Sequence, residues 1–386
     1  RVRSDYEAAG IATWPQLLDD AGYYTAAIGK MHFYPWDARH GFQRRVICED
    51  KRWLEVRDDY YHYLKDRGLR KLHGNEHDGY FENRGAITHQ NPWEHSWDRF
   101  VGREAVHFID NYGDEEPFAM MVGFPGPHCP YDPPEDFPEV FPPDSMPASI
   151  PEAEGDTPLL RQNNVDGNKR PWNGVDYTEF TEEHKKKIRA HYAGLVKGID
   201  YEVGLILESL QANGLLDNTI IIFATDHADY LGDHNLIGKA SFYETCMNIP
   251  LLVRIPGMEP AVSDDQVELR DVTATMLAFA GVDRPENMDS RTLPGLPIST
   301  DEPRDRIYGL LTDGWMINDG TWKLAKYATG ENVLFNLKND PTEQYNLIED
   351  AQYAETLARL DTDLTTYVME EMRRSMFDRL AHAGDM

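Results

Sequence analysis

The sequence predicts an α/β fold with a mostly parallel central sheet flanked by helices, followed by a smaller C-terminal antiparallel-sheet subdomain plus a helix. Two apolar runs, "TIIIFATD" at 219–226 and "IPLLVRIPG" at 249–257, are typical of strands buried on both faces of a parallel sheet. In the segment 181–214, apolar residues recur every three or four positions, which predicts a long amphipathic helix. Beyond about residue 300, short half-alternating segments are broken by Asp-Gly and Thr-Gly turns, as in an antiparallel meander.

The first half of the chain alternates between predicted helices and strands. A short helix over 13–21 begins at an N-cap, Thr13, and the run "YYTAAIG" after it is the first strand. The loop that leaves this strand is "KMHFYPWDARHGF". A second helix, over 96–113, is capped by Ser96 and leads into a strand at 117–124. This alternation of strand and helix is the pattern of an α/β domain.

Proline marks the main irregular region of the chain. The density of prolines over 125–151 excludes regular helix and central strand, so we expect a long loop there. Later helices are predicted over 267–280 and, at the end, over 351–375. Because the pattern changes to short antiparallel strands beyond about residue 300, we predict an α/β domain, 1–300, and a C-terminal α+β subdomain, 301–386.

Charge and composition narrow the classes of partner. The 386 residues include 38 basic and 67 acidic ones, a formal charge of −29, which argues against a nucleic-acid partner because most of the surface repels a polyanion. A small anionic substrate is still compatible, provided that its site is locally basic. The apolar runs are too short to span a bilayer, so no membrane partner is predicted.

The cysteines indicate no disulfide framework and no zinc site. Cys48, Cys129 and Cys246 are odd in number and show no CxxC spacing. This slightly favours the cytoplasm over an oxidising compartment, although the sequence leaves the localisation undetermined. It also gives no indication of the oligomeric state.

Ionisable side chains follow three of the predicted strands at the point where each strand ends. In open α/β sheets, ligands bind outside the carboxyl ends of the strands, so we expect these side chains to converge on one edge. They are Lys30 and His32 after the first strand, His128 after the strand at 117–124, and Asp226, His227 and Lys239 after "TIIIFAT".

Two kinds of chemistry are compatible with these side chains. Asp226 and His227 offer an oxygen and an imidazole, a combination that suits a divalent metal ion with additional carboxylates. The structural alternative, that Asp226 caps the following turn and His227 packs at the strand end, has about equal weight on residue types alone. The second kind of chemistry is the binding of an oxyanion such as sulfate or phosphate. It would be bound and neutralised jointly by four side chains, Lys30, His32, His128 and Lys239. Each of these alone is more often a solvated or structural side chain.

Five blocks of the sequence resemble the sulfatase family of the alkaline-phosphatase superfamily. They are "TWPQLLDDAGYYTAAIGKMHF", "HGFQRRVICEDKRW", "PFAMMVGFPGPHCPYDPP", "LLDNTIIIFATDHADYLGDHNLIGKASFYETCMNIPLLVRIPG" and "VLFNLKNDPTEQYNL". The resemblance extends over residues 11–348, and the blocks occur in the family's order. It implies a hydrolase of sulfate monoesters that acts on a small anionic ester.

The resemblance also implies a role for each candidate residue. Asp226 and His227 would be metal ligands, for Ca²⁺ in the first place and for Mn²⁺ or Mg²⁺ as alternatives. Lys30 and Lys239 would contact the sulfate oxygens. His128 would lie by the leaving oxygen, and His32 would hydrogen-bond the nucleophile. The loop 125–151 and the segment 152–180 would shape the pocket for the organic group.

The nucleophile of the family is a formylglycine made from Cys or Ser in a Cys/Ser-x-Pro-Ser/Ala-Arg motif, whose hydrated form attacks sulfur. No such motif occurs in the sequence, nor does the family's N-terminal strand with its pair of metal-binding acids. We therefore expect the formylglycine upstream of Arg1, and no turnover by residues 1–386 alone. The Asp-His pair also resembles the phosphonate and phosphodiester hydrolase branch. One alternative is therefore an enzyme that hydrolyses phosphonate monoesters or phosphodiesters. The other is a truncated homologue without catalytic activity.

Overall fold

The computed structural model describes residues 11–113, 116–137, 141–153, 158–286, 288–311 and 313–383. The first half of the chain contains α1 (Trp14–Asp20), β1 (Tyr24–Gly29), β2 (Arg44–Ile47), α2 (Asp59–Lys65), α3 (Trp97–Asn111), β3 (Phe118–Gly123), α4 (Pro158–Asn168) and α5 (Glu182–Ala212). The second half contains β4 (Ile221–Ala224), α6 (Glu244–Met247), β5 (Leu251–Arg254), α7 (Leu269–Phe279), β6 (Ile307–Leu311), β7 (Gly314–Asn318), β8 (Trp322–Tyr327), β9 (Val333–Asn336) and α8 (Ala354–Ala383).

A parallel three-stranded sheet, in the order β2-β1-β3, carries the first two strand ends of the candidate site. Ala26 of β1 aligns with Arg44 on one side and with Met120 on the other. The middle strand is buried from Thr25 onwards, as expected for a strand with neighbours on both edges. The fold class predicted from the sequence is therefore confirmed, including the parallel sheet. The strand β2 was not predicted, because "RRVI" is too short and too charged to stand out.

Helix α3 packs on this sheet and forms the main core with it. Its N-cap Ser96 accepts a hydrogen bond from the backbone N–H of Arg99, as the sequence predicted. Phe100, Val101 and Phe108 on its buried face pack with residues of β1 and β3 and with the C-terminal half of α5. Helix α5 agrees with the predicted helix over 181–214 to within two residues at either end.

The prediction for the two apolar runs was wrong in one respect. Strands β4 and β5 pair with each other in antiparallel orientation, as a separate two-stranded sheet. They are also only partly buried, with Phe223 42% and Leu252 61% exposed. The physical reason lies in the connection, because a parallel return needs a crossover that is usually a helix. The described residues between the two strands form one α-helix, α6, and it has four residues.

A four-stranded antiparallel sheet, β6-β7-β8-β9, follows in the C-terminal part and confirms the predicted meander. Helix α8 packs on one face of it through Leu360 and Leu364. The other face shares a core with the loop after β4, where Phe242 packs near Tyr327. The division of the chain into domains at residue 300 stays a prediction. In the described ranges, no helix combines the length and the apolar character that crossing a bilayer needs.

Candidate active site

The carboxyl ends of β1 and β3 are held together at the edge of the sheet by a close backbone contact. The backbone N–H of Lys30 donates to the carbonyl oxygen of Gly123 at 2.7 Å. Gly29 has a φ of 102°, and a Cβ atom there would lie 2.0 Å from the same carbonyl oxygen. Only glycine allows this approach, which directs the side chain of Lys30 out of the strand at a fixed point.

Lys30 is one of two cations that contact the carboxylate of Asp50. Lys30 Nζ lies 3.1 Å from Asp50 Oδ2. Arg52 binds the same carboxylate with two parallel hydrogen bonds, from Nε at 2.7 Å and from Nη2 at 2.8 Å. Burial opposes ionisation of Asp50, but the hydrogen bonds from Arg52 and the charge of Lys30 outweigh it and hold the pKa of Asp50 well below its usual range. Asp50 is therefore a carboxylate that fixes both cations.

His32 lies at the rim of the same cluster in an unusual backbone conformation. Its φ is 56°, in the left-handed region, and its backbone N–H donates to the buried Glu49 at 3.1 Å, which secures this conformation. The imidazole stacks on Trp53 with ring centroids 4.5 Å apart. Burial and the charge of Lys30 lower the pKa of His32, so the ring is a neutral hydrogen-bonding group at neutral pH.

His128 is positioned by the loop after β3, which is tied to the start of α3. The backbone N–H of Gly126 donates to the buried Asp98 at 2.8 Å. The imidazole Nδ1 lies 2.9 Å from the carbonyl oxygen of Cys129, so Nδ1 carries the hydrogen and Nε2 carries the lone pair. Burial, with the charges of Lys30 and Arg52, lowers the pKa of His128 to about 3.

Asp226, His227 and Lys239 form the third part of the cluster, in the loop after β4. His227 Nε2 lies 3.1 Å from Asp226 Oδ2 and 2.5 Å from Lys239 Nζ. Its Nδ1 is 2.9 Å from the carbonyl oxygen of Ala228, which leaves the lone pair on Nε2. The carboxylate of Asp226 is 74% exposed and faces outward. An oxygen and a nitrogen donor thus lie next to each other, with Asp226 Oδ1 accepting from the backbone N–H of His227 and His227 Nε2 accepting from Lys239 Nζ.

The three parts of the cluster lie close enough to affect one another's ionisation. Burial lowers the pKa of Lys239, the charges of Lys30 and Arg52 add to this shift, and Asp226 opposes it. The structure therefore brings all six predicted side chains into one cluster, although β4 belongs to a separate sheet. It also adds Glu49, Asp50 and Arg52, which the sequence did not identify as site residues. A signal was present, since the charged run "EDKR" at 49–52 begins two residues after the end of β2, but β2 itself was not predicted.

A cavity of about 660 Å³ lies elsewhere and contains none of the predicted site residues. It is lined by polar side chains that include His77, His89, His191 and Lys187. The candidate active site is assigned to the strand ends, because the charged side chains converge there and none of them lines this cavity.

We expect His128 to make the stability of the protein depend on pH. The unfolded chain takes up a proton near the ordinary pKa of 6.5, whereas the folded protein takes it up near 3. Between these values only the unfolded state is protonated, so stability is full above pH 6.5 and falls as the pH falls. The loss between pH 7 and pH 5 is roughly 1–2 kcal/mol.

Urea denaturation at pH 7 and pH 5 measures this loss. Between pH 7 and pH 5, the free energy of unfolding of His128→Asn is expected to fall by roughly 1–2 kcal/mol less than that of the parent. The control His107→Asn, at an exposed histidine of α3, is expected to keep the parental difference. An equal difference for the parent and His128→Asn would contradict the assignment.

Comparison with known proteins identifies the family. Residues 4–282 match the family model described as Sulfatase, which is more than half of the chain. The chain belongs to the sulfatase family. Residues 232–370 further match the model of the N-sulphoglucosamine sulphohydrolase C-terminal region. The family resemblance in the sequence blocks is thereby confirmed, and the reaction class of this sulfatase is the hydrolysis of sulfuric esters.

Relatives and solved structures agree with this assignment. The sulfatase is 28% identical to a choline-sulfatase of Rhizobium meliloti, covering 90% of this chain and 69% of that protein. It is also 28% identical to an arylsulfatase of Clostridium perfringens, covering 87% of this chain and 74% of the relative. A phosphonate monoester hydrolase of Agrobacterium radiobacter has the same fold, with a TM-score of 0.73 at 21% identity, covering 92% of this chain and 80% of that one.

Proposed function

We propose that this sulfatase hydrolyses small sulfate monoesters, which are anionic, in the cluster of side chains that follows β1, β3 and β4. The observation that supports this most is the convergence of Lys30, His128 and Lys239, from three separate strand ends, in a chain with a formal charge of −29. A locally basic site in an acidic protein is suited to a small anion. Lys30 and Lys239 bind the sulfate oxygens and stabilise the charge that develops on them.

The two histidines act as neutral groups in the free enzyme. His128 carries the lone pair on Nε2, and the negative charge of a bound ester beside it raises its affinity for a proton. It then donates that proton to the leaving oxygen as general acid. His32, which Glu49 and Trp53 hold at the rim, hydrogen-bonds the nucleophile. In this proposal the nucleophile is a formylglycine.

Asp226 and His227 fit a divalent metal ion by their donor chemistry. The Nδ1–H of His227 is anchored on a backbone carbonyl, the arrangement that usually orients a metal-binding imidazole. Within the described ranges no group of three or more potential ligands surrounds one point, so this pair supplies only part of a coordination sphere. Ca²⁺ is the expected ion, with Mn²⁺ or Mg²⁺ as alternatives. When bound, the ion stabilises negative charge as a Lewis acid.

Parallel assays with an aryl sulfate and with an aryl phosphonate monoester test the proposed function. Because no Cys/Ser-x-Pro-Ser/Ala-Arg motif occurs in the sequence, the protein is expressed from its full open reading frame, together with formylglycine-generating activity. We expect kcat/KM for the sulfate to exceed that for the phosphonate. A higher kcat/KM for the phosphonate would favour the phosphonate hydrolase alternative, and no turnover of either ester would contradict both.

A further inference from the structure

A pair formed by Arg52 and Trp172 lies beside the proposed sulfate site and has no part in the proposed reaction. The guanidinium carbon of Arg52 lies 4.7 Å from the centroid of the Trp172 ring. Trp172 follows α4 and is 39% exposed, a large value for a tryptophan. The segment 152–180, of which residues 154–157 lie outside the described part, thus supplies a side chain at the position where we expected it to shape the pocket for the organic group.

Arg52 retains hydrogen-bonding capacity at its outer nitrogen. Its Nε and Nη2 are engaged by Asp50, at 2.7 and 2.8 Å. Within the described ranges Nη1 has no hydrogen-bond partner, and the side chain is 17% exposed. The carboxylate of Asp50 and the indole ring fix the plane of the guanidinium, so Nη1 presents two N–H donors in a fixed direction. Such donors suit an oxyanion.

The distribution of charge around this pair selects the sign of the ligand. Arg52 shares the carboxylate of Asp50 with Lys30, and its charge acts on His32, His128 and Lys239, so it lies close to the proposed sulfate site. Among the described residues, the carboxylate in contact with Arg52 is that of Asp50, which is 1% exposed and already engaged by two cations. Within the described ranges, a cationic organic group would meet Arg52 with no exposed acid in contact with it. A neutral or anionic group is favoured.

Aromatic surface at the same place selects the shape of the ligand. Trp172 presents an indole ring next to Arg52, and His32 and Trp53 form a second stacked pair at the rim. The imidazole of His32 is 53% exposed. Flat exposed rings bind the faces of sugar or aryl rings well and contribute little to the binding of flexible chains.

We propose that Arg52 and Trp172 bind the organic group of the substrate, and that this group is a ring that carries a negative charge of its own. Substrates of this class are sulfate monoesters of carboxylated or further sulfated sugars and phenols. The inference rests on the proposed function, since it places the organic group next to a sulfate held by Lys30 and Lys239. It sets this sulfatase apart from one that accepts a quaternary ammonium ester.

The test compares three esters that differ in charge. The probes are 4-carboxyphenyl sulfate, its uncharged isostere 4-carbamoylphenyl sulfate, and choline sulfate. Binding is measured by titration calorimetry on the full open reading frame product made without formylglycine-generating activity, and kcat/KM on the same product made with it. A charge-assisted hydrogen bond contributes enough to make the carboxylate ester bind about 10-fold more tightly than the carbamoyl ester. Choline sulfate is expected to bind most weakly.

Variants of Arg52 and Trp172 test whether these two residues cause the preference for the carboxylate ester over the carbamoyl ester. Arg52→Met is expected to reduce the ratio of the two aryl affinities from about 10 to about 1. Arg57→Met removes the same charge from an exposed position above Tyr61 and is expected to keep the ratio. Trp172→Ala is expected to weaken both aryl esters by a similar factor and to leave the ratio unchanged, since the ring contributes stacking and Arg52 contributes the charge.

The outcomes separate this inference from the function on which it rests. If the aryl esters bind and are hydrolysed without a preference for the carboxylate, or if choline sulfate is preferred, the inference is wrong and the proposed function stands. The same holds if Arg52→Met keeps the full preference. If none of the three esters binds and none is hydrolysed, the proposed function fails and the inference fails with it.

Discussion

Replacing Lys239 with alanine is expected to lower kcat for an aryl sulfate by about 10²–10³-fold, the usual effect of removing one donor that stabilises a developing oxyanion. Lys239 Nζ lies 2.5 Å from His227 Nε2, and burial lowers the pKa of Lys239, with the nearby charge of Lys30 adding to this shift. The substitution removes a charge that the proposed mechanism uses chiefly in the transition state. Therefore kcat should fall much more than KM changes.

Two further variants of the full open reading frame product make this result specific. Lys239→Arg keeps the charge with a different geometry and is expected to retain more activity than the alanine variant. Lys338→Ala removes an exposed lysine from the turn after β9 and is expected to leave kcat unchanged. If Lys239→Ala retained more than a tenth of the parental kcat, Lys239 would not be a sulfate-binding residue.

Replacing Lys323 with methionine is expected to lower the free energy of unfolding by about 3–5 kcal/mol, the cost of leaving a buried charge without its partner. Lys323 of β8 is 1% exposed and binds Glu244 at 2.8 Å and Glu343 at 2.5 Å. Burial already raises the pKa of Glu343, and Lys323 is the cation that opposes this shift. Without Lys323, Glu343 is buried next to a second carboxylate.

A neighbouring ion pair on the same strand provides the control. Lys326 binds Asp361 at 2.7 Å, but both side chains are more than 40% exposed, so Lys326→Met is expected to cost less than about 1 kcal/mol. Urea denaturation at pH 7 measures both variants. Adding Glu343→Gln to Lys323→Met should recover part of the loss, because it removes the unpaired charge. Equal losses for Lys323→Met and Lys326→Met would contradict this account.

The positions of the candidate residues could be predicted from the sequence because they depend on strand ends. "YYTAAIG", "PFAMMVGF" and "TIIIFAT" were recognisable as strands, and in an α/β fold the side chains just after such strands meet at one edge. Lys30, His128 and Asp226 accordingly converge in the structure. Their chemical roles did not follow from position, and they stay proposals here.

The residues that were missed depend on contacts that a single sequence does not encode. Arg52 follows a four-residue strand, β2, which the sequence did not predict, and its partners Asp50 and Trp172 are respectively 2 and 120 residues away. Strand pairing was similarly hidden. The apolar runs of β4 and β5 predict strands, but the orientation of their pairing depends on the connection between them.

Asp50 gives the active site a resident counter-ion. Its carboxylate stays 3.1 Å from Lys30 and 2.7 Å from Arg52, so an arriving sulfate shares cations that already have a partner. The Coulombic gain on binding is smaller than bare cations would provide. The same reduction applies to the inorganic sulfate that remains after an ester is cleaved. In the proposed reaction, this built-in anion would therefore favour release of the product and limit its inhibition of the next turnover.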